Sequence, residues 1–165
     1  MEFHEAFADF CKALDGDGAF LVVQDREGKP NPMTIGWGTL GIVWSQPILT
    51  VLVRPSRHTF GLIEGAKHFS VCVPIKGMER ELEFCGTHSG RDCDKMKACG
   101  LKASAGLTKG VSVIEGCGLV YECEIVHKTR VQGEALDPAI AGKYYPEGDF
   151  HTIYFGKVQQ AYRNK

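Results

Sequence analysis

Strand-forming stretches govern how this chain can fold. Six runs rich in β-branched and aromatic residues take up much of its 165 residues: AFLVVQD from residue 19, MTIGWGTLGIVW from 33, PILTVLV from 47, HFSVCVPI from 68, LVYECEIVHKTRV from 119 and FHTIYFGKVQQAY from 150. Several alternate with period two, which puts successive side chains on opposite faces of a sheet. Phe69, Val71 and Val73 share one face. Leu119, Tyr121, Cys123 and Ile125 are expected to face a core, with Glu122, Glu124 and Lys128 facing away. His151, Ile153 and Phe155 fall on one face of the last run. Gly36, Gly38 and Gly41 interrupt the second run, where bulges, bends or a close neighbour to the backbone are expected. REGKPNP before it reads as turn chemistry.

Helices are fewer. Phe3, Phe7, Phe10 and Leu14 lie at spacings of four, three and four, one face of a helix over about 3–14 that Gly16 and Gly18 end. Shorter helical segments are expected near 57–66, 77–85 and 92–99. Strands outnumber helices and do not alternate regularly with them, which argues against a doubly wound parallel sheet. The pattern predicts a mainly β barrel or sandwich with helical excursions. No G-x-G-x-x-G follows a strand and opens a helix, so a Rossmann reading has no support.

The length fits one domain spanning 1–165, with the helix first and a barrel over about 18–162. Hydrophobic residues at 44% are enough for a core, and a net charge of −1 supplies no global field for a nucleic-acid backbone. No apolar run approaches ~18 residues, and the acidic start MEFHEAFADF is unlike a signal peptide. Seven scattered cysteines without a C-x-x-C fit reduced thiols, and the expected location is cytoplasmic.

Three polar strings stand out. In VRPSRHT, residues 53–59, a strand ends and Arg54, Ser56, Arg57 and Thr59 follow. Ser56 is placed to cap a helix beginning near Arg57. Exposed helical N–H groups, two forked guanidiniums and two hydroxyls would together suit a phosphate. The plain alternative is a capped helix with two solvated arginines. GTHSGRDCDK, residues 86–95, offers Ser89, Gly90 and Arg91 in a loop, then Lys95; alternatively it is a polar connection before a helix capped by Asp92. In NPMTIGW, residues 31–37, Asn31 and Thr34 can bond a ligand edge, Gly36 admits close approach and Trp37 offers a flat face. Its alternative is a turn entering a core strand. Cys85, His88, Cys93 and Cys99 form C-x2-H-x4-C-x5-C, four soft ligands for a remote zinc alternative. No local signature marks a Cys–His nucleophile pair.

The strings N-x-M-T-I-x-W at 31–37, V-R-P-S-R-x-T at 53–59, S-G-R-D-x-D-K at 89–95 and Y-Y-P-x-G-D-F-H-T-I-Y-F-G at 144–156 occur in an order that resembles the flavin reductase-like family. This family of FMN-binding split barrels includes flavoredoxin and the NAD(P)H:flavin oxidoreductases. The resemblance implies a split β-barrel holding FMN. Asn31, Met33, Thr34 and Ile35 would line the isoalloxazine, with Trp37 beside it. Arg54, Ser56, Arg57 and Thr59 would take the ribityl phosphate. Ser89, Gly90, Arg91 and Lys95 would hold the phosphate and ring edge, and Arg91 and Lys95 would favour negative charge on the reduced ring. His151 would lie near the flavin, as a hydrogen-bond donor or as a packed strand-end histidine. A single terminal phosphate suits FMN better than FAD.

The implied activity is an oxidoreductase that takes a hydride from NADH or NADPH and passes electrons to free flavin, a small molecule or a protein. A non-enzymatic FMN electron carrier or redox sensor is the alternative. The family also implies a homodimer with the flavin near the interface. Two positions depart from its pattern: Lys157 stands where relatives often carry an acid, and Phe150 separates Asp149 from His151.

Overall fold

In the computed structural model, which describes residues 1–164, helix α1 (Phe7–Asp15) leads into β1 (Ala19–Gln24), β2 (Pro30–Ile35), β3 (Gly38–Val43) and β4 (Gln46–Val53). Helix α2 (His58–Ile63) precedes β5 (His68–Val73). Helices α3 (Glu79–Thr87) and α4 (Lys95–Cys99) follow, then the short strands β6 (Ala103–Ala105) and β7 (Ser112–Ile114). Strand β8 (Leu119–Arg130), helix α5 (Pro138–Tyr144) and β9 (Thr152–Arg163) complete the chain.

Seven strands form one antiparallel sheet in the order β2-β1-β5-β8-β9-β4-β3. Its two edges, β2 and β3, are consecutive in the chain and joined only by Gly36 and Trp37. Three residue steps span at most roughly 11 Å, so the sheet must curl until its edges meet at that end. The edges do not pair with each other, and the result is an open, split barrel. Inward residues of all seven strands, among them Leu21, Met33, Leu40, Val51, Val71, Tyr121 and Tyr154, make the main core. Phe10 of α1 plugs it, edge-on to Tyr121 at 5.7 Å. Gly156 leaves the space that the ring of Phe69 occupies; a Cβ there would overlap the ring.

A second core covers the outer face of β1, β5 and β8. Phe20, Val22, Cys72 and Val120 meet Leu82 and Cys85 of α3 and the β6–β7 hairpin. This layer corrects one expectation. Glu122 does not face solvent: it is fully buried. Its carboxylate accepts from the N–H of Leu107 at 2.8 Å, the N–H of Thr108 at 2.6 Å and the Tyr162 hydroxyl at 2.8 Å. The hairpin's turn supplies the donors that make burial of a charge tolerable. Leu119, Tyr121, Cys123 and Ile125 do face the main core as expected, and the register shifts against β9 fall at Glu122/Cys123 and Ile125/His127.

Other boundaries move for local reasons. The segment expected as turn ends earlier: Asp25 closes the turn through its carboxylate, and Pro30 and Pro32 already lie in β2. An edge strand tolerates proline because its outward N–H would pair with nothing. The run 33–44 splits at Gly36–Trp37. Trp44 and Ser45 leave the strand for a two-residue hairpin loop with φ of 52° and 56°, the pair of positive values such a turn needs. The N-terminal helix starts at Phe7, later than expected, and Phe7 itself is exposed while Ala6 is buried. The hairpin β6–β7 and helix α5 fall where no element was expected; Asp137 caps α5, with Pro138 in its first turn. No described helix is long and apolar enough to cross a membrane.

Candidate functional site

Strand β4 ends in the buried core at Val53, and the chain then turns into α2. Arg57, not Ser56, is the N-cap of α2, and no side chain caps it among the described residues. Ser56 is drawn elsewhere: its Oγ donates to Asp149 at 2.6 Å and its N–H to the same carboxylate at 3.2 Å. With only six residues, α2 contributes little dipole, so side-chain charge dominates here. Thr59 is buried and accepts from Asn31 Nδ2 at 2.9 Å, tying α2 to the edge strand β2.

Three cations converge beside this turn. Arg57 donates to the Gly86 carbonyl at 2.8 Å and Arg91 to the Ser56 carbonyl at 2.7 Å. Lys95 is 4% exposed, and its Nζ donates to the Cys85 carbonyl at 3.1 Å. Burial pushes the Lys95 pKa down, and the Arg57 charge adds to that. His58 is lowered by burial and then by Arg91 and Lys95. Gly90 is pressed against Asn31 and His58; a Cβ there would lie 2.6 Å from the His58 ring. The capping residue of α4 is Asp94, not Asp92: it accepts from the Lys97 N–H at 3.2 Å and pairs with Lys29 at 2.8 Å. A depression of about 210 Å³ opens among Ser56, Arg57, Thr59, Ser89, Gly90, Arg91 and Lys95; His58, Thr87 and His88 complete its lining, and none of these is a carboxylate.

A second depression, of about 250 Å³, adjoins the first through Arg57. Met33, Thr34, Ile35, Gly36 and Trp37 line it from the β2–β3 junction, Leu52 from β4, Arg54 from just past its end, Gly86 from α3 and His151 from the entry to β9. Thr34 spends its hydroxyl on the Leu82 carbonyl at 2.6 Å. Trp37, 40% exposed, packs at 5.2 Å from His151 and 5.0 Å from Tyr144. Arg54 lies here rather than at the cationic end. It donates to the carbonyls of Tyr144 at 2.8 Å and Asp149 at 3.3 Å, and it sits 4.9 Å over the Tyr145 ring. His151 is buried, its Nδ1 2.7 Å from the Tyr145 hydroxyl. Burial, then Arg54, lowers its pKa to about 4, so the ring is neutral at pH 7.

The two depressions form one groove with an apolar, aromatic end and a cationic end. Jointly they reach the few-hundred-Å³ range of small-molecule sites. Every site residue expected from the sequence lines this groove except Asn31, which borders it with His58, Gly90 and Lys95. Leu52, His58, Gly86 and Tyr145 were not singled out. They are ordinary core or turn residues in sequence; β4, α2 and α3 bring the first three to the groove, and the loop before β9 sets Tyr145 behind it against His151 and Arg54. The soft-ligand quartet does not assemble: among the described residues no three His, Cys, Asp or Glu side chains converge as a metal site. His88 stacks on Phe84 at 3.8 Å, and Cys85 is buried with its thiol pushed up to about 12.

The arrangement has relatives. The family model described as flavin reductase like domain matches residues 16–165. An uncharacterized protein of Archaeoglobus fulgidus is 34% identical over 82 residues, which is 50% of this chain and 45% of that protein; the match thus spans about half the length of this curated relative. The FMN-binding protein from Thermus thermophilus, solved with bound p-hydroxybenzaldehyde, superposes with a TM-score of 0.69 at 27% identity, covering 89% of this chain and 71% of that one. The flavoredoxin from Methanosarcina acetivorans gives 0.69 at 26%, covering 89% and 68%. The flavoredoxin of Desulfovibrio vulgaris (Miyazaki F) gives 0.70 at 18%, covering 89% and 69%, a likeness of fold alone.

Proposed function

The chain belongs to the flavin reductase like domain family, and from that premise we propose that it binds FMN and catalyses hydride transfer from NADH or NADPH. The observation that carries this reading is the groove's asymmetry. Its cationic end gathers Arg57, Arg91 and a buried Lys95 without a lining carboxylate, and its other end is walled by Met33, Ile35, Trp37 and His151. A flat ring with one terminal phosphate has that shape and charge distribution. Lys95 supports the fit most strongly: three N–H donors are buried with one carbonyl in contact, and a phosphate oxygen would satisfy the others.

Bound FMN would supply the hydride chemistry, and the protein contributes orientation and electrostatics. Ser89, Arg91 and Lys95 anchor the phosphate remote from the reacting ring, with Ser56 and Thr59 beside them. Arg57 borders both parts. Arg54 and Arg57, the cations lining the apolar end, favour negative charge on the ring. Trp37, half-exposed at the rim, would flank the ring and leave room for a nicotinamide to meet it in a short encounter. The acceptor in this reading would be free flavin, a small molecule or a redox protein. The reading includes a homodimer with the flavin near the interface and, given seven free thiols, a cytoplasmic location.

A non-enzymatic carrier is the second reading, favoured by the likeness to the Methanosarcina flavoredoxin. One experiment separates the two: a visible-absorption titration with FMN, followed by anaerobic NADH and then NADPH. Saturation at one flavin per chain with bleaching by either nucleotide is expected. Saturation without bleaching leaves the carrier. No saturation overturns both.

A further inference from the structure

We propose that Tyr145 is a positioning residue that fixes the tautomer of His151, so that the imidazole presents an Nε2–H donor and no acceptor to the groove. The inference rests on the flavin reading only for the identity of the ligand that meets this donor.

Tyr145 Oη and His151 Nδ1 are 2.7 Å apart, and one proton lies between them. Two arrangements are possible in principle. If Nδ1–H donated, the phenol proton would need a second acceptor, and the Tyr145 hydroxyl contacts no other acceptor among the described residues. Tyr145 is only 8% exposed, so leaving that proton unpaired would be costly. If the phenol donates, a single hydrogen bond satisfies both groups. Arg54 strengthens this choice: its guanidinium lies over the Tyr145 ring and makes the phenol a better donor. The charged groups acting on His151 are Arg54, which disfavours an imidazolium, and Asp149, which opposes it more weakly. A neutral imidazole carries one proton. With Nδ1 accepting, that proton is on Nε2.

Tyr145 is itself held in place. Its N–H bonds the Ala141 carbonyl at 2.8 Å, closing α5, and its carbonyl accepts from Gly148 at 3.1 Å. Phe150 packs against its ring at 4.9 Å, with its far edge against Gly133. Phe150, between Asp149 and His151 in the chain, is the wedge behind the tyrosine. The groove therefore offers a fixed donor beside Trp37, matched to a carbonyl oxygen or an unprotonated ring nitrogen of the ligand.

Long-range ¹H–¹⁵N correlation spectra of histidine-labelled, flavin-free protein at pH 7 test this directly. The expected pattern for His151 is an unprotonated Nδ1 and a protonated Nε2. In Tyr145→Phe, the two nitrogens should move toward the averaged positions of a tautomer mixture. Labelling with 3-fluorotyrosine, which makes the phenol more acidic without removing it, should shift the His151 Nδ1 resonance in a chain of unchanged shape. A proton on Nδ1 in the native protein overturns the proposal. So does an Nδ1 resonance that ignores the fluorinated phenol, or a tautomer unchanged in Tyr145→Phe. FMN titration of the same samples reads the flavin hypothesis separately: failure to bind with the tautomer result intact removes the flavin and leaves the role of Tyr145 standing.

Discussion

At the cationic end of the groove, Arg57, Arg91 and Lys95 each spend a donor on a main-chain carbonyl; at the aromatic end, one hydrogen bond joins the Tyr145 hydroxyl to His151 Nδ1. A carbonyl orients a cation without neutralising it, so the first end keeps its charge for an anion. The second end closes on itself and keeps one directed proton. Anchoring and reading of a ligand are thus separated along one groove, and they should fail separately.

The largest break should come from Lys95→Met, which keeps the packing and removes the buried charge. A charge-assisted hydrogen bond contributes about 1.5–3 kcal/mol. FMN binding should therefore weaken by roughly ten- to a hundredfold or more. Riboflavin, which lacks the phosphate, should be nearly unaffected, and fluorescence titration of both ligands compares them. Arg57→Ala probes the junction: both ligands should lose affinity, FMN the more, because Arg57 borders both depressions. Equal losses would remove Arg57 from the phosphate.

The aromatic end should show itself in acid. The His151 pKa is depressed from 6.5 to about 4 by burial and Arg54. Above 6.5 neither state takes the proton; below it the unfolded chain does and the native site refuses. Stability should fall as pH drops from 6.5 toward 4. His151→Gln should reduce the slope of that segment in a pH series of urea melts, leaving the share of His58, and Lys95→Met should leave the His151 share in place because Lys95 does not act on that ring.

The smallest effect is expected at the residue that touches both regions. Asp149 holds Ser56 and lies 4.0 Å from Arg54. Asp149→Asn, which tolerates the positive φ of 54° there, should tighten FMN by only a few-fold at low salt, and added salt should erase the gain. An unchanged affinity at low salt would mean that this carboxylate does not compete with the ligand's phosphate.

Much of the groove's lining was legible because its residues come in strings. VRPSRHT and SGRDCDK each carry their charges within a few positions, and chain continuity keeps them together wherever they land. Strand existence was legible too, since the apolar runs are long. The misses were non-local. Ser56 reads as a cap until Asp149, 93 residues on, takes its hydroxyl. Glu122 reads as solvent-facing until a hairpin too short to announce itself covers β8 and supplies two N–H donors. Tyr145 reads as one of two adjacent aromatics, and only the path from α5 into β9 sets its hydroxyl against His151.

By itself the sequence determined a mainly β chain, the order of its strands and the residue types available to hold an anion and a flat ring. Period-two patterning, turn residues and charge are properties of neighbours along the chain, so they can be read there. The tertiary structure decided that two consecutive strands become opposite edges of one curled sheet. It decided that the strings at 31–37, 54–59, 86–95 and 144–151 meet at the resulting split. It also decided which polar groups are consumed within the protein and which stay available. A hydrogen bond between distant residues depends on where the sheet brings them, and no local pattern encodes that.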